Sequence, residues 1–392
     1  MPVSRRDFLA TVGAGTAAIG AAGAGILSLP FISARGREAN AQGVADRKAD
    51  RRMAARPGMI RIDSNENPVG PGKRVYETIR RHLEESNRYP VLAEDNLIEA
   101  IARKHGVTAD NVILGCGSGE LLRAADHAFT RADAAYVSAD PTFEAAGAFA
   151  KFLGAPVKLV PVDSRLGLDL TAMVAAARGA GLVYLCNPNN PTATAHSKSD
   201  VVAFIERVNR ASPNTTVLVD EAYFEYVDNP AFGTVIPLAV ANPRVVVLRT
   251  FSKVHGLAGL RAGYAVGRPE VLAKMRAWTL GSNISQLTLV AAAVAFEDST
   301  NIAEEVRRNR EVKAFTRKFF SDAGFSMSAG DANFMMVDIR RSAAEFKSQA
   351  VRKGVAVGRG FAALPNHSRI TFGTMPEMKK AVAVFRELLV NA

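Results

Sequence analysis

Cysteine is almost absent: Cys116 and Cys186 are the only two in a chain of 392 residues. So few exclude a disulfide framework and any cysteine-based metal centre, and the six histidines are scattered, with no Cys/His cluster at metal-ligating spacing. Each cysteine sits at or just after an apolar run, so both are read as free, partly buried thiols. Tryptophan occurs once and aromatic residues make up only 7% of the chain. With no zinc-finger spacing, basic zipper or aromatic-basic stripe, no nucleic acid is expected as a partner. Acidic residues are outnumbered, 38 against 49, which leaves a net charge of +11. Hydrophobic types at 48% and charged types at 22% exclude collagen-like, coiled-coil and disordered chains, and the length accommodates two domains.

What is present begins with a leader. Ser4-Arg5-Arg6-Asp7-Phe8-Leu9 puts an arginine pair ahead of an apolar stretch, Phe8 to Ile32, rich in alanine and glycine. This is the form of a twin-arginine export signal, and Ala39-Asn40-Ala41 gives a small-x-small cleavage pattern. Residues 1–41 are therefore expected to direct the chain to the twin-arginine export machinery and to be cleaved off after Ala41, leaving a periplasmic or secreted chain that starts at Gln42. An uncleaved membrane anchor is the alternative, weakened by Gly13, Gly15, Gly20, Gly23 and Gly25. The mature chain keeps 45 basic against 36 acidic residues, so most of the positive excess survives. Much of it lies on helical stretches, where Arg307, Arg308, Arg310 and Lys313 alternate with Glu304, Glu305 and Glu311. Such mixtures read as solvated helix faces.

Between about residues 75 and 290, short apolar runs alternate with longer amphipathic stretches. The runs are 112–114, 134–137, 157–160, 182–185, 217–219, 245–248 and 264–266, several of them apolar without alternation, as strands buried on both faces are. The pattern predicts an α/β fold with a mainly parallel sheet and helices on both faces. After Trp278 the texture becomes α+β, with a long helix over about 302–320, strands at 334–337 and 370–372, and a last helix from Pro376 towards Leu389. An N-terminal arm at 42–68, a large domain at 69–285 and a small domain at 286–392 complete the expected organisation.

Four sites fall at the ends of predicted strands, where ligands bind in open α/β sheets. Arg249-Thr250-Phe251-Ser252-Lys253, with Arg261 eight residues on, offers a nucleophilic amine beside an anion site. Asp220-Glu221-Ala222-Tyr223 places a carboxylate where it is either a helix cap or a partner for a protonated pyridine nitrogen. Asn187-Pro188-Asn189-Asn190-Pro191-Thr192 doubles an Asn-Pro pair directly after a strand. Gly115-Cys116-Gly117-Ser118-Gly119-Glu120 is a glycine-rich turn opening a helix, a natural phosphate cradle. It fits neither the nucleotide-binding glycine motifs nor the hydrolase elbow.

Taken in order, these sites resemble the fold type I aminotransferases that use pyridoxal 5′-phosphate (PLP), and most closely the histidinol-phosphate aminotransferase family. Asn65-Glu66-Asn67-Pro68, Arg88-Tyr89-Pro90 and Leu364-Pro365-Asn366-His367-Ser368-Arg369-Ile370-Thr371 carry the same resemblance. It implies a PLP-dependent transferase fold with large and small domains, and a transaminase that moves an amino group from an amino acid or amino-phosphate to a 2-oxo acid. Lys253 would form the Schiff base and shuttle the proton, Asp220 would pair with the pyridine nitrogen, and Asn187 and Tyr223 would bond the ring oxygen. Ser118, Gly119, Thr250, Ser252 and Arg261 would hold the phosphate, and Phe143 would stack on the ring. Tyr89 would reach the phosphate of a neighbouring subunit, which implies a homodimer with shared sites. Arg369, with Arg359 and Asn67, would receive the substrate; no metal is implied.

Gly119 stands where many relatives carry Asp, Ala193 replaces a usual glycine, and Phe143 replaces a common Tyr. A decarboxylase or lyase of the same fold remains the alternative chemistry, and a non-catalytic exported binding protein the alternative class.

Overall fold

The computed structural model describes residues 56–391, which belong to one compact unit. The leader and the first part of the arm lie outside the described residues. All seven apolar runs of the central region are strands: β2 Val112–Gly115, β3 Ala135–Asp140, β4 Val157–Pro161, β5 Ala180–Cys186, β6 Thr216–Asp220, β7 Val245–Thr250 and β8 Gly263–Gly267, after β1 Ile60–Ile62 in the arm. They form one sheet in the order β2-β8-β7-β6-β5-β3-β4. Strand β8 is antiparallel to both its neighbours, and the other pairings are parallel. Six strands therefore point their carboxyl ends to the same edge.

The absence of alternation has a direct cause. Val217 and Val219 of β6 and Val245 and Val247 of β7 face one apolar layer, while Leu218, Val246 and Leu248 between them face another. With helices covering both faces, successive side chains point to opposite cores and every one is apolar. The helices Val91–His105, Lys198–Ala211 and Gln286–Glu297 contribute to the first layer, and Ser118–Phe129 and Pro269–Arg276 to the second. Strand β4 is one of the two edges, half exposed and ending in Pro161, which cannot donate to a further strand.

A third apolar core lies outside this sheet. It joins Ile62 to Phe320, Met335, Val337, Phe346, Ile370 and Phe385. Strand β9 Phe334–Asp338 pairs antiparallel with β11 His367–Thr371, and β10 Val355–Val357 pairs parallel with β1. The long helix is Ser299–Asp322, started by the Asp298 carboxylate accepting from the Asn301 N–H at 3.1 Å. The last is Met375–Leu389, opened by a Thr374/Glu377 capping box.

One reading of the long helix changes. Glu305 is buried, pairs with Arg308 at 2.6 Å and accepts from the Tyr226 hydroxyl at 3.0 Å. These two charges face the protein because they satisfy each other there; Arg307 and Glu311 are the solvated pair. Both cysteines are free: Cys116 is half-buried, whereas Cys186 is fully buried. No helix among the described residues is long and apolar enough to cross a membrane.

Candidate active site

The site assembles at the carboxyl edge of the large sheet. Cys186 and Asp220 are register partners at the ends of β5 and β6, and Thr250 ends β7 opposite Gly263, which in turn faces Gly115 of β2. Three of the four loops singled out from sequence thus emerge from the adjacent strands β5, β6 and β7, and the glycine-rich turn emerges from β2, on the far side of β8.

Lys253 follows β7. Its Nζ donates to the Asn65 carbonyl at 3.1 Å and lies 5.4 Å from the centre of the Tyr223 ring. Burial, then the Arg369 and Arg261 charges, bring the amine down to about 8, against the pull of Glu66 and Asp220. An amine so lowered is in part neutral near physiological pH, the form that attacks a carbonyl. Asp220 is buried at the end of β6. Its Oδ2 accepts from the Tyr184 hydroxyl at 2.8 Å and its Oδ1 from the Ala222 N–H at 3.1 Å. Burial nevertheless pushes it up to about 6, since two donors and the more distant Lys253 do not replace the lost water.

The glycine-rich turn and Arg261 form one unit. Gly117, with φ 74°, precedes the helix Ser118–Phe129, and a Cβ there would collide with the Arg261 guanidinium. Gly263 must also be bare, because its Cβ would stand 2.5 Å from the Ser118 nitrogen. Arg261 itself holds φ 62°, and its Nη1 donates to Ser252 Oγ at 3.3 Å and to the Ala258 carbonyl at 2.9 Å. Thr250 Oγ1 accepts from the Ser252 N–H at 3.1 Å. A guanidinium, two hydroxyls and the unpaired N–H groups of a helix start are the donor set of a phosphate site.

Arg369, on β11, is buried. It donates through Nη1 to Asn190 Oδ1 and through Nη2 to the Asp63 carbonyl, both at 2.7 Å, while its Nε is without a partner. Burial lowers it to about 10. Phe361 lies under both Arg369 and Arg359, and Arg359 is more exposed, paired with Glu144 at 2.8 Å. Tyr223 is buried edge-on to Phe334, its hydroxyl accepting from Asn65 Nδ2 at 3.2 Å.

Other expected residues lie differently. The Asn187 amide accepts from the His196 N–H and donates to the His196 carbonyl, which leaves one amide hydrogen for a ligand. The Asn67 amide bonds Val254 and Val69 backbone groups, fastening the arm over the loop that carries Lys253. Phe143 is 37% exposed beyond β3, and Tyr89 is 85% exposed in the single chain. Gly119 has open space around it, and Ala193 is buried with φ 53°, the backbone a glycine would take without cost.

Sequence reasoning missed three residues. Asn65, at φ 55°, bonds Lys253, Tyr223, Thr371 and Asn333 together. Asn190 holds Arg369, and Tyr184 holds Asp220. The first two lay within motifs already noted; Tyr184 carried no signal beyond its place in a strand.

Comparison with known proteins shows the family and the fold. Residues 57–385 match the family model described as aminotransferase class I and II. The chain is 35% identical to the histidinol-phosphate aminotransferase of Symbiobacterium thermophilum, over 84% of this chain and 91% of that enzyme, and 33% identical to that of Moorella thermoacetica, over 84% and 86%. The crystal structure of the Sinorhizobium meliloti histidinol-phosphate aminotransferase in complex with pyridoxal-5′-phosphate matches with a TM-score of 0.78 at 26% identity, over 84% of this chain and 90% of that one. The Thermotoga maritima aspartate aminotransferase shares the fold, with a TM-score of 0.77 at 20% identity, over 92% and 100%.

Proposed function

Because the chain belongs to the class I and II aminotransferases and is a PLP-dependent transaminase, we propose that it takes an amino donor bearing a carboxylate or phosphate, with a 2-oxo acid as acceptor. The observation that carries this reading is the convergence of Lys253, Asp220 and Arg261 on one sheet edge, with Arg369 close enough to depress the lysine.

The residues fit the cofactor. Asp220 is a buried carboxylate in need of a positive partner, and a protonated ring nitrogen is one. The bare Gly117 leaves the guanidinium of Arg261 against the start of the Ser118–Phe129 helix, whose first N–H groups suit a phosphate although those of Cys116 and Glu120 are already bonded. When bound, PLP supplies an electrophilic carbonyl and an electron sink. The chain does the rest: Lys253 Nζ provides the attacking amine and then moves the proton, its direction set by the Asn65 carbonyl. Tyr223 and the free amide hydrogen of Asn187 are assigned to the ring oxygen, Phe143 to the ring face, and Ser118, Gly119, Thr250 and Ser252 to the phosphate. Arg369 receives the substrate anion, with Arg359 as the outer cation.

The proposal extends to a homodimer in which Tyr89 completes the neighbour's phosphate site, supported by the exposure of Tyr89, Val91 and Leu92 on one surface segment. Division into a large and a small domain is supported by the separate core around Phe320 and Phe385, but the helix Gln286–Glu297 packs on the large sheet, so the boundary is placed after it rather than near residue 285. Export by the twin-arginine route rests on Arg5, Arg6 and the apolar stretch that follows.

The test is the visible absorbance of the purified protein and its response to amino donors. Stoichiometric conversion of bound cofactor to pyridoxamine phosphate supports transamination; return of PLP with loss of carbon dioxide or another fragment points to a decarboxylase or lyase. Lys253→Ala absorbing and turning over like the parent sinks the assignment.

A further inference from the structure

Asp220 does not stand alone in the core. The Tyr184 side chain, on the neighbouring strand β5, is fully buried, its ring stacked on Tyr136 at 6.4 Å between centroids. Its hydroxyl donates to Asp220 Oδ2 at 2.8 Å, while Oδ1 is taken by the Ala222 N–H. We propose that Tyr184 is a positioning residue for the cofactor-pairing acid, its hydroxyl keeping Asp220 ionised and fixing the plane of the carboxylate that meets the ring nitrogen. This rests on the PLP reading of the same site.

The chemistry favours a phenol in this place. A buried carboxylate accepting only one backbone N–H would hold its proton more tightly, and a protonated acid no longer supports positive charge on the ring nitrogen. A tyrosine supplies a donor without adding a charge to the core. Burial and the nearby Asp220 push the Tyr184 phenol well above its ordinary range, so it keeps its proton and remains the donor. The other titratable groups acting on Asp220 are Cys186 on β5, Tyr136 on β3, Glu221 and Tyr223 beyond β6, and Lys253. Burial raises the Cys186 thiol and the Tyr136 and Tyr223 phenols as well, which leaves Lys253 and Glu221 as the charged groups acting on Asp220 among the described residues.

The test uses the full chain freed of cofactor and measures the dissociation constant of PLP from its absorbance between about pH 5 and 9. In the parent, affinity falls towards acid in two steps, as Lys253 gains a proton at about 8 and as Asp220 takes one at about 6, and the second step is the one followed. Tyr184→Phe removes one oxygen and keeps the stacked ring; its acid-side midpoint should move up by about one pH unit, a roughly tenfold change in proton affinity. Affinity near pH 9 should stay within about twofold of the parent. An unmoved midpoint, or an equal loss at every pH with a lower melting temperature, overturns the proposal. If the phenylalanine variant does not fold, Tyr184→Gln and Tyr184→Leu replace it: both lose the ring, and only the first keeps a donor. Glutamine must then restore the lower midpoint relative to leucine, and equal midpoints overturn the proposal. A parent that takes up no PLP at any pH overturns the cofactor reading itself.

Discussion

Gly117 and Arg261 occupy one space: a Cβ on the glycine would stand 2.8 Å from the Arg261 Cζ and closer still to Nη2. The turn is bare so that the guanidinium can lie against it. Gly117→Ala meets two costs, the clash and a backbone at φ 74° and ψ 161° that is essentially confined to glycine, the second alone about 1–3 kcal/mol. We expect a melting temperature lower by several degrees and PLP affinity reduced at least tenfold, read by cofactor titration. Gly119→Ala, two residues on with open space around it, should leave the melting temperature unchanged.

That contrast bears on what the sequence could reveal. Both glycines belong to the same legible motif, yet only the fold says which one is pressed by an arginine from 144 residues away. Six of the seven strands were readable because burial makes them almost continuously apolar, and the half-exposed β4 was readable from Val157, Leu159 and Val160 alone. Val355–Val357 escaped because a three-residue strand has no period, and its partner, Ile60–Ile62, is distant in sequence. Asn65 escaped because its importance lies in a left-handed backbone that aims its carbonyl at Lys253 and its amide at Tyr223. Tyr184 read as one more apolar strand residue, and the burial of Glu305 and Arg308 depends on Tyr226 and the Gly373 carbonyl lying opposite them.

Lys253 should trade stability for reactivity. In the folded chain it loses its proton at about 8, and in the unfolded chain near 10.5. The unfolded state therefore binds more protons between these values, and stability rises with pH across that window. Lys253→Met has no such dependence. Without cofactor, it should be more stable than the parent below pH 8, by up to about 3 kcal/mol, with the gap closing towards pH 10.5. The rate at which the parent captures PLP should rise with pH through about 8, as the neutral amine forms. Denaturant melts at several pH values and stopped-flow absorbance check the two halves separately.

Arg369 is held by two oxygens that a lysine cannot meet together, Asn190 Oδ1 and the Asp63 carbonyl. Arg369→Lys keeps the charge and loses the planar fork, so it is not conservative here. We expect kcat/KM for the amino donor to fall about 10²-fold or more, a loss of roughly 3 kcal/mol, with PLP affinity nearly unchanged. A fall confined to PLP affinity would move Arg369 out of the substrate role.

One buried acid does no evident chemistry. Asp126, on the helix that begins at Ser118, is fully buried with neither carboxyl oxygen bonded, and burial raises it from 3.8 to about 8. The folded chain thus keeps a proton that the unfolded chain has lost, and between pH 4 and 8 its stability falls as pH rises. Each pH unit in that window costs about 1.4 kcal/mol. Asp126→Asn never ionises and should remove this slope, leaving a variant more stable than the parent at pH 8 and close to it at pH 4. Thermal melts of both proteins across the window decide the matter, and parallel curves would mean that Asp126 is ionised and paired after all.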